Sequence, residues 1–383
     1  MESAVQTVIQ RLHSVTGMAS IAIAGGGAQA LAWLLTTAGA SKTILEINSP
    51  YSRKSLSKFL GKDNPPVNRE TAVSMAKQSY QRAISLRSKN EPVVGIGCTA
   101  SISSNKTKKG PHRCHVAAWN NNSVSVYSMS LIKGLRDRVD EDRIVSYLIV
   151  KALADSLGVP MTIPDELSNS DEQVEKTLKT YDDPLDALLA QHIYSVLVDE
   201  THMKADENIS GSILPGSFDP LHNGHKELAK SASLILKSDI FYELSISNVD
   251  KPPLSLEEIL CRIQQFSNEG PVIITNADRF DKKADLFPGR TFVIGIDTAQ
   301  RLVNSSYYGN NQTQMLLSLQ KLKNSKCDFL VAGREQNGDF VALENIQIPK
   351  GFSKIFSAIP EIQFRSNLSS TNLKRRTEWN TTK

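Results

Sequence analysis

The chain has 383 residues, 44 of them basic and 40 acidic, for a net charge of +4. That length predicts about two domains at ~150 residues each. Hydrophobic residues at 40% and charged residues at 22% exclude a disordered chain, a collagen-like fibre and a disulfide-rich miniprotein, and the small net charge gives no footprint for a nucleic-acid polymer. From residue 1 to about 160, strand-like and helix-like runs alternate. Strands are predicted at Ala19–Ala24, Thr43–Ile47, Val93–Cys98 and His115–Asn120, and helices at Gln29–Thr37, Arg69–Ser88 and Glu141–Leu157. This alternation predicts an α/β domain over 1–160. Residues 161–208 hold twelve acidic and three basic side chains. There Leu185, Leu188, Leu189, Ile193, Val196 and Leu197 fall at helical spacing behind Asp183-Pro184, so the segment predicts an acidic helical connector. From Ile209 the alternation resumes. Apolar runs stand at Ile213–Leu214, Phe241–Ile246, Val272–Ile274, Phe292–Ile296 and Phe329–Ala332, with helical stretches at Lys226–Leu236 and Leu256–Phe266. Mostly parallel strands with crossover helices are predicted over 209–383.

Charge is unevenly spread: +10 over 1–160, −9 over 161–208 and +3 over 209–383. The four cysteines, Cys98, Cys114, Cys261 and Cys327, form no C-x-x-C and read as reduced thiols. His112, Cys114 and His115 crowd together without a fourth ligand, so no zinc site is expected. The run 12–41 carries no Lys, Arg, Asp or Glu, but its glycines, Gln29 and Ser20 suit a strand, a turn and a helix better than a membrane span. The first residues lack the apolar core of a signal peptide. A cytoplasmic location with no membrane partner is the expectation.

The strongest local signal is Ile213-Leu-Pro-Gly-Ser-Phe-Asp-Pro-Leu-His-Asn-Gly-His225. A short strand enters a turn marked by glycine and proline, and a helix starts at the histidines. Gly216 lets backbone approach a ligand closely. His222 and His225, three apart, share one face of the first helical turn, where free amides and the helix dipole favour phosphate. Two imidazoles there can stabilise charge developing in phosphoryl or nucleotidyl transfer.

This segment resembles the G-x-F-x-P-x-H-x-G-H motif of the nucleotidylyltransferase superfamily, through Gly216, Phe218, Pro220, His222, Gly224 and His225; Ser217 lies between them. Gly295 and Asp297 in Phe292-Val-Ile-Gly-Ile-Asp297 resemble the G-x-D strand end of the nicotinamide and nicotinate mononucleotide adenylyltransferases. In that family the carboxylate helps hold the nucleotide. The strand Cys327–Arg334 and the run Leu368-Ser-Ser-Thr-Asn-Leu-Lys374 are similar to two later motifs of the same enzymes. The resemblance implies that Arg334 binds the nucleotide and that Ser369, Ser370, Thr371, Lys374 and Arg375 meet its phosphates. The family's arginine at the last motif is Lys374 here, followed by Arg375. A lysine offers a point charge and not a bidentate fork. The implied reaction is in-line attack of a substrate phosphate on the α-phosphate of ATP, with Mg²⁺ carried by the nucleotide and by water. Lys251 is a weaker phosphate candidate, and Arg262 reads as a structural ion pair.

In the first domain, Gly25, Gly27 and Ala30 meet a loose dinucleotide pattern, with Glu46 where a ribose-binding acid would sit. Dinucleotide binding is therefore one reading. Gly26-Gly27, Tyr51-Ser52, Val67–Ala76 and Gly97–Ala100 also resemble the C-terminal domain of the CinA (competence/damage-inducible) family, some members of which deamidate nicotinamide mononucleotide. That family's S-x-T-G-G nucleophile segment falls on Ile23–Gly27, its lysine near Leu56, and only Thr99 remains of a third motif. A serine nucleophile needs a nearby base, and both are missing. The resemblance thus implies a surviving fold without amidase activity, with self-association through this domain left open.

The sequence therefore predicts two α/β domains, the second Rossmann-like and doubly wound. The predicted function is AMP transfer from ATP to a mononucleotide such as nicotinamide or nicotinate mononucleotide. The alternatives are adenylyl or cytidylyl transfer to another phosphorylated acceptor, and a non-catalytic nucleotide-binding regulator.

Overall fold

The computed structural model describes residues 2–105, 109–162, 171–199, 202–247, 252–336 and 339–365. The chain divides into two units, Met1–Asp182 and Asp183–Lys383. The first runs α1 (Glu2–Leu12), β1 (Met18–Ala24), α2 (Ala28–Thr36), β2 (Ile44–Asn48), α3 (Arg53–Leu60), α4 (Arg69–Leu86), β3 (Val93–Ser101), β4 (His112–Trp119), β5 (Ser123–Leu131), α5 (Arg138–Ser156) and β6 (Glu175–Thr180). Its sheet has the order β2-β1-β3-β4-β5-β6. The first three strands are parallel and the remaining pairings antiparallel. Helix starts are set by side chains: Asn68 accepts from the Thr71 amide at 2.7 Å and opens α4, and Asp137 accepts from the Asp140 amide at 2.8 Å and opens α5. Ile144, Val145, Leu148 and Ile149 of α5 join Leu34 of α2 and the strand residues Ile21, Ile23, Ile96, Cys98 and Val116 in one core. The edge strand β6, Glu-Lys-Thr-Leu-Lys-Thr, is exposed throughout. Its charges blunt the open edge of the sheet.

The second unit runs α6 (Pro184–Leu189), β7 (Ser195–Asp199), β8 (His202–Ala205), β9 (Ser212–Pro215), α7 (Asn223–Leu236), β10 (Ile240–Ser245), α8 (Leu256–Gln264), β11 (Val272–Thr275), α9 (Phe280–Leu286), β12 (Thr291–Gly295), α10 (Ile296–Leu302), α11 (Gln312–Asn324), β13 (Asp328–Ala332), β14 (Arg334–Gln336), β15 (Asp339–Val341) and β16 (Phe356–Ile359). The large sheet has the order β16-β13-β12-β9-β10-β11-β7-β8. It is parallel from β16 to β11 and antiparallel over β7 and β8. Leaving β9, the chain adds β10 and β11 on one side, then returns to add β12 on the other. The C-terminal ends of β9 and β12 therefore flank a topological switch point, the place where open α/β sheets hold ligands. On one face, Ile213, Ile273, Phe292, Ile294 and Phe329 pack with Ala284 and Phe287, Ala299 and Leu302, and Leu319 and Leu322 from the α9, α10 and α11 side.

The apolar run 185–197 departs from expectation. It is helix only over Pro184–Leu189 and strand over Ser195–Asp199. Gln191 turns left-handed at φ 55 and ends the helix, and the Asp206 carboxylate accepts from the amides of Tyr194 and Ser195. Val196, Leu197 and Val198 then pair with Ile274, Ile273 and Val272 of β11. An open partner edge and β-branched residues outweigh the helical spacing. Within 161–208, read from sequence as a connector, β6 belongs to the first sheet while β7 and β8 belong to the second. Among the described residues no helix is long and apolar enough to cross a membrane.

Candidate active site

The turn between β9 and α7 is held from several directions. The Gly216 amide donates to the Glu243 carbonyl at 3.0 Å. A Cβ on Gly216 would lie 2.7 Å from the Phe218 ring, so glycine is what lets that ring fold back beneath the turn. Phe218 is fully buried and takes a left-handed φ of 43. Its ring meets His225, Tyr242 and Phe266 edge-on, with centroids 5.1, 5.5 and 5.1 Å away. The Asp219–Pro220 peptide is cis. His222 is the N-cap residue of α7, and Gly224 is buried in the first turn. The two imidazoles stack with centroids 3.8 Å apart and planes 20° apart. The sequence expectation that they share one face of the first turn therefore holds.

Hydrogen bonding sets the His225 tautomer, and burial sets the charge of both rings. The His222 amide donates to Nδ1 of His225 at 3.3 Å. A neutral His225 therefore carries its proton on Nε2, which is left as its donor. Burial, and then the neighbouring His222, lower the His225 pKa to about 4. Burial also lowers that of His222. Both rings are thus neutral donors near pH 7, flanked by the ion pairs Arg262–Asp219 and Lys226–Glu269. Among the described residues no side chain accepts from the amides of Asn223 and Gly224 in the first turn of α7. The end of β9 thus presents helix amides and two imidazoles, the groups that recognise phosphate oxygens.

On the neighbouring strand, Gly295 closes β12 and Asp297 stands in the first turn of α10. A Cβ on Gly295 would meet no atom within 4 Å, so this strand end is open. Asp297 forms an ion pair with Arg334, at the start of β14. The structure thus joins two residues that the sequence marked separately. Ser217 contributes its carbonyl, which accepts from Arg262 at 2.8 Å. Ser369, Ser370, Thr371, Lys374 and Arg375 lie outside the described residues, as does Lys251.

Sequence reading missed the far side of the turn. The Gln265 side chain accepts from the Leu221 amide at 2.7 Å and donates to the Phe218 carbonyl at 3.1 Å. Arg262 was expected to be a structural ion pair, and its guanidinium reaches the Asp219 carboxylate at 3.5 Å as well as the Ser217 carbonyl. Nothing in a single sequence links residues more than 40 positions apart in this way.

The glycine turn of the first unit is built differently. Gly25 and Gly27 have φ of 93 and 94, and a Cβ on them would lie 1.9 Å from the Ala100 carbonyl and 2.3 Å from Ile149. The amides of Gly27, Ala28 and Gln29 all donate to the Asp142 carboxylate, at 2.8, 3.2 and 3.1 Å. An internal carboxylate therefore occupies the position where a pyrophosphate would bind. Glu46, at the ribose-acid position, accepts from Arg82 and Ser20 and its pKa is lowered, chiefly by the Arg82 hydrogen bond. The dinucleotide reading is not supported by this geometry. Leu56 is buried, and the Thr99 hydroxyl donates to the Asn68 carbonyl at 3.3 Å. Tyr51 is exposed and its hydroxyl accepts from Arg138 at 3.3 Å.

The His112, Cys114 and His115 group is dispersed among separate partners. His112 pairs with Glu141 at 2.8 Å, and His115 with Ser128 at 2.8 Å. Cys114 is buried, and burial pushes its thiol up to about 12. Among the described residues no group of three or more His, Cys, Asp or Glu is placed to hold a metal ion. All four cysteines are free thiols.

No curated protein matches the chain. Among solved structures, the chain is similar to the competence/damage-inducible protein CihA from Agrobacterium tumefaciens, at 17% identity over 40% of this chain and 95% of that one, with a TM-score of 0.32. It is also similar to a competence or damage-inducible protein from Enterobacter asburiae, at 15% identity over 43% of this chain and 99% of that one, TM-score 0.32. A third is a CinA superfamily protein from Escherichia coli, at 16% identity over 41% of this chain and 87% of that one, TM-score 0.29. Residues 213–376 match the Cytidylyltransferase-like family, from the first strand of the motif through the basic residues after Ser369. A domain of that kind, with the histidine pair at its switch point, indicates a nucleotidyltransferase.

Proposed function

We propose that the second unit transfers AMP from ATP to a mononucleotide, such as nicotinamide or nicotinate mononucleotide, and releases pyrophosphate. The observation that supports this best is the stacked, neutral His222–His225 pair at the N-terminus of α7. In this reading an oxygen of the acceptor phosphate attacks the α-phosphorus of ATP, and the bond from that phosphorus to pyrophosphate breaks. A phosphate with its second pKa near ~6 is already a dianion at pH 7, so no protein base is required. The two imidazoles would donate hydrogen bonds to phosphate oxygens and stabilise the charge that builds as the bond breaks. Asp297 would hold the nucleoside, and Arg334, now its ion-pair partner, would turn to phosphate. Ser369, Ser370, Thr371, Lys374 and Arg375 would meet the β- and γ-phosphates.

The residues present suit Mg²⁺ that arrives on the triphosphate. With no cage of three acidic or histidine ligands among the described residues, the ion would keep nucleotide and water oxygens. Bound there it would neutralise phosphate charge. The work of the chain itself is to position, donate and exclude water. The matched family's description also favours a second reading, in which CTP is the donor and another phosphorylated molecule the acceptor.

The first unit, in this proposal, is a CinA-like module without amidase chemistry, and the whole protein works in the cytoplasm on small nucleotides. The test is to incubate the pure chain with Mg²⁺, ATP or CTP and a panel of phosphorylated acceptors, and to measure pyrophosphate. Release with ATP and a pyridine mononucleotide supports the first reading. Release only with CTP supports the second. Tight ATP binding with no release under any combination would leave the non-catalytic regulator.

A further inference from the structure

We propose that Gln265 is a positioning residue for the histidine pair: its side-chain amide fixes the turn that sets where His222 stands against His225. The proposal rests on the nucleotidyltransferase reading only for its kinetic consequence. Gln265 closes α8 as its C-cap residue, and its side chain leaves the helix to grip the turn. Its amide oxygen takes the Leu221 N–H and its amide nitrogen takes the Phe218 carbonyl. One planar carboxamide thus satisfies a donor and an acceptor three residues apart, as a strand neighbour would. The turn needs such a grip. Phe218 has a left-handed backbone, which strains a non-glycine residue and persists only where its surroundings impose it. Phe266, next to Gln265, packs edge-on against the Phe218 ring, and Arg262 one turn earlier holds the Ser217 carbonyl.

The coupling to the imidazoles is direct. Leu221 precedes His222, and the His222 amide donates to Nδ1 of His225. If Leu221 loses its acceptor, the His222 amide shifts, and with it the bond that fixes the His225 tautomer. The Phe218 ring, packed edge-on against His225, is released at the same time. A residue that merely terminated α8 would alter stability and leave both rings as they are.

The experiment uses the full chain with Gln265→Leu, which removes both bonds, and Gln265→Asn, an uncharged carboxamide one methylene too short to hold both. The two imidazoles are titrated by NMR in isotope-labelled protein with no substrate present, and kcat and KM are measured in parallel. In Gln265→Leu the His225 titration moves up from about 4 toward the ordinary 6.5, with a smaller move in Gln265→Asn. The kcat falls by ~10- to 100-fold while KM changes by less than about threefold, the pattern of misplaced groups and not of lost binding. If Gln265→Leu does not fold, Gln265→Asn decides. Wild-type titrations in the folded variants overturn the proposal, whether or not stability falls. If the wild-type chain releases no pyrophosphate with any donor, the enzyme reading fails, and the NMR titration still decides the role of Gln265.

Discussion

The protein contains two strand–glycine turn–helix segments, one in each unit, and they have opposite fates. In the first, α2 begins at Gly27 and the amides of Gly27, Ala28 and Gln29 are spent on Asp142. In the second, α7 begins at His222, two neutral imidazoles stand beside its leading amides, and no side chain among the described residues takes those of Asn223 and Gly224. The local sequence pattern is nearly the same. What separates a closed turn from an open one is the group that the rest of the fold delivers to the helix start. A carboxylate delivered by α5 closes the first; a carboxamide delivered by the end of α8 shapes the second without covering it. Glycine patterns report how closely backbone can approach, and say nothing of what occupies the space.

The comparison breaks most directly at the histidines. His222→Ala and His225→Ala should each slow nucleotidyl transfer by ~100-fold or more, the scale for losing a transition-state donor. Unchanged turnover would remove both residues from the site. The next effect is on acid stability. Folded His225 takes up a proton near pH 4, an unfolded histidine near 6.5. Between those values the unfolded chain binds more protons, so stability from this group is complete above 6.5 and lost as pH falls toward 4. Denaturant unfolding at pH 7 and pH 5 should show the wild type losing about 2 kcal/mol more than His225→Asn. Equal losses would mean that the imidazole is not held neutral.

On the other side of the comparison, Asp142→Ala should cost about 1–2 kcal/mol, the range for a lost helix cap. It should also make the melting temperature rise on adding inorganic phosphate, which the wild-type first unit should not show. A variant with wild-type melting and no phosphate response would mean that Asp142 does not close the turn. The smallest expected effect is none at all: nicotinamide mononucleotide alone should yield no ammonia, and measurable release would restore amidase chemistry to the first unit.

These contrasts also explain what a single sequence can carry. Strands β1, β3 and β9 to β13 were legible because buried parallel strands are short apolar runs bounded by turn residues. Helices α4 and α8 were legible as helical stretches, and in the structure Asn68 and Ser255 cap their starts. The strand β5 was not, because Ser123, Ser125, Ser128 and Ser130 dilute its apolar face. Residues 195–199 misled because a run of Val and Leu fits helical spacing until β11 offers an edge. In the site, His222, His225, Gly216 and Phe218 were legible because their chemistry needs adjacent positions. Asp142 and Gln265 were not, since their partners lie 113 to 115 and 44 to 47 residues away. Only folding creates those contacts.

The central claim is that the second unit's turn is a working nucleotidyl-transfer site while the first unit's turn is closed. The most direct measurement is pyrophosphate release by the full chain with Mg²⁺, ATP or CTP and phosphorylated acceptors, run beside His222→Ala and Asp142→Ala. Release by the wild type and by Asp142→Ala, lost in His222→Ala, is the predicted result. Release that survives in His222→Ala but vanishes in Asp142→Ala would contradict it.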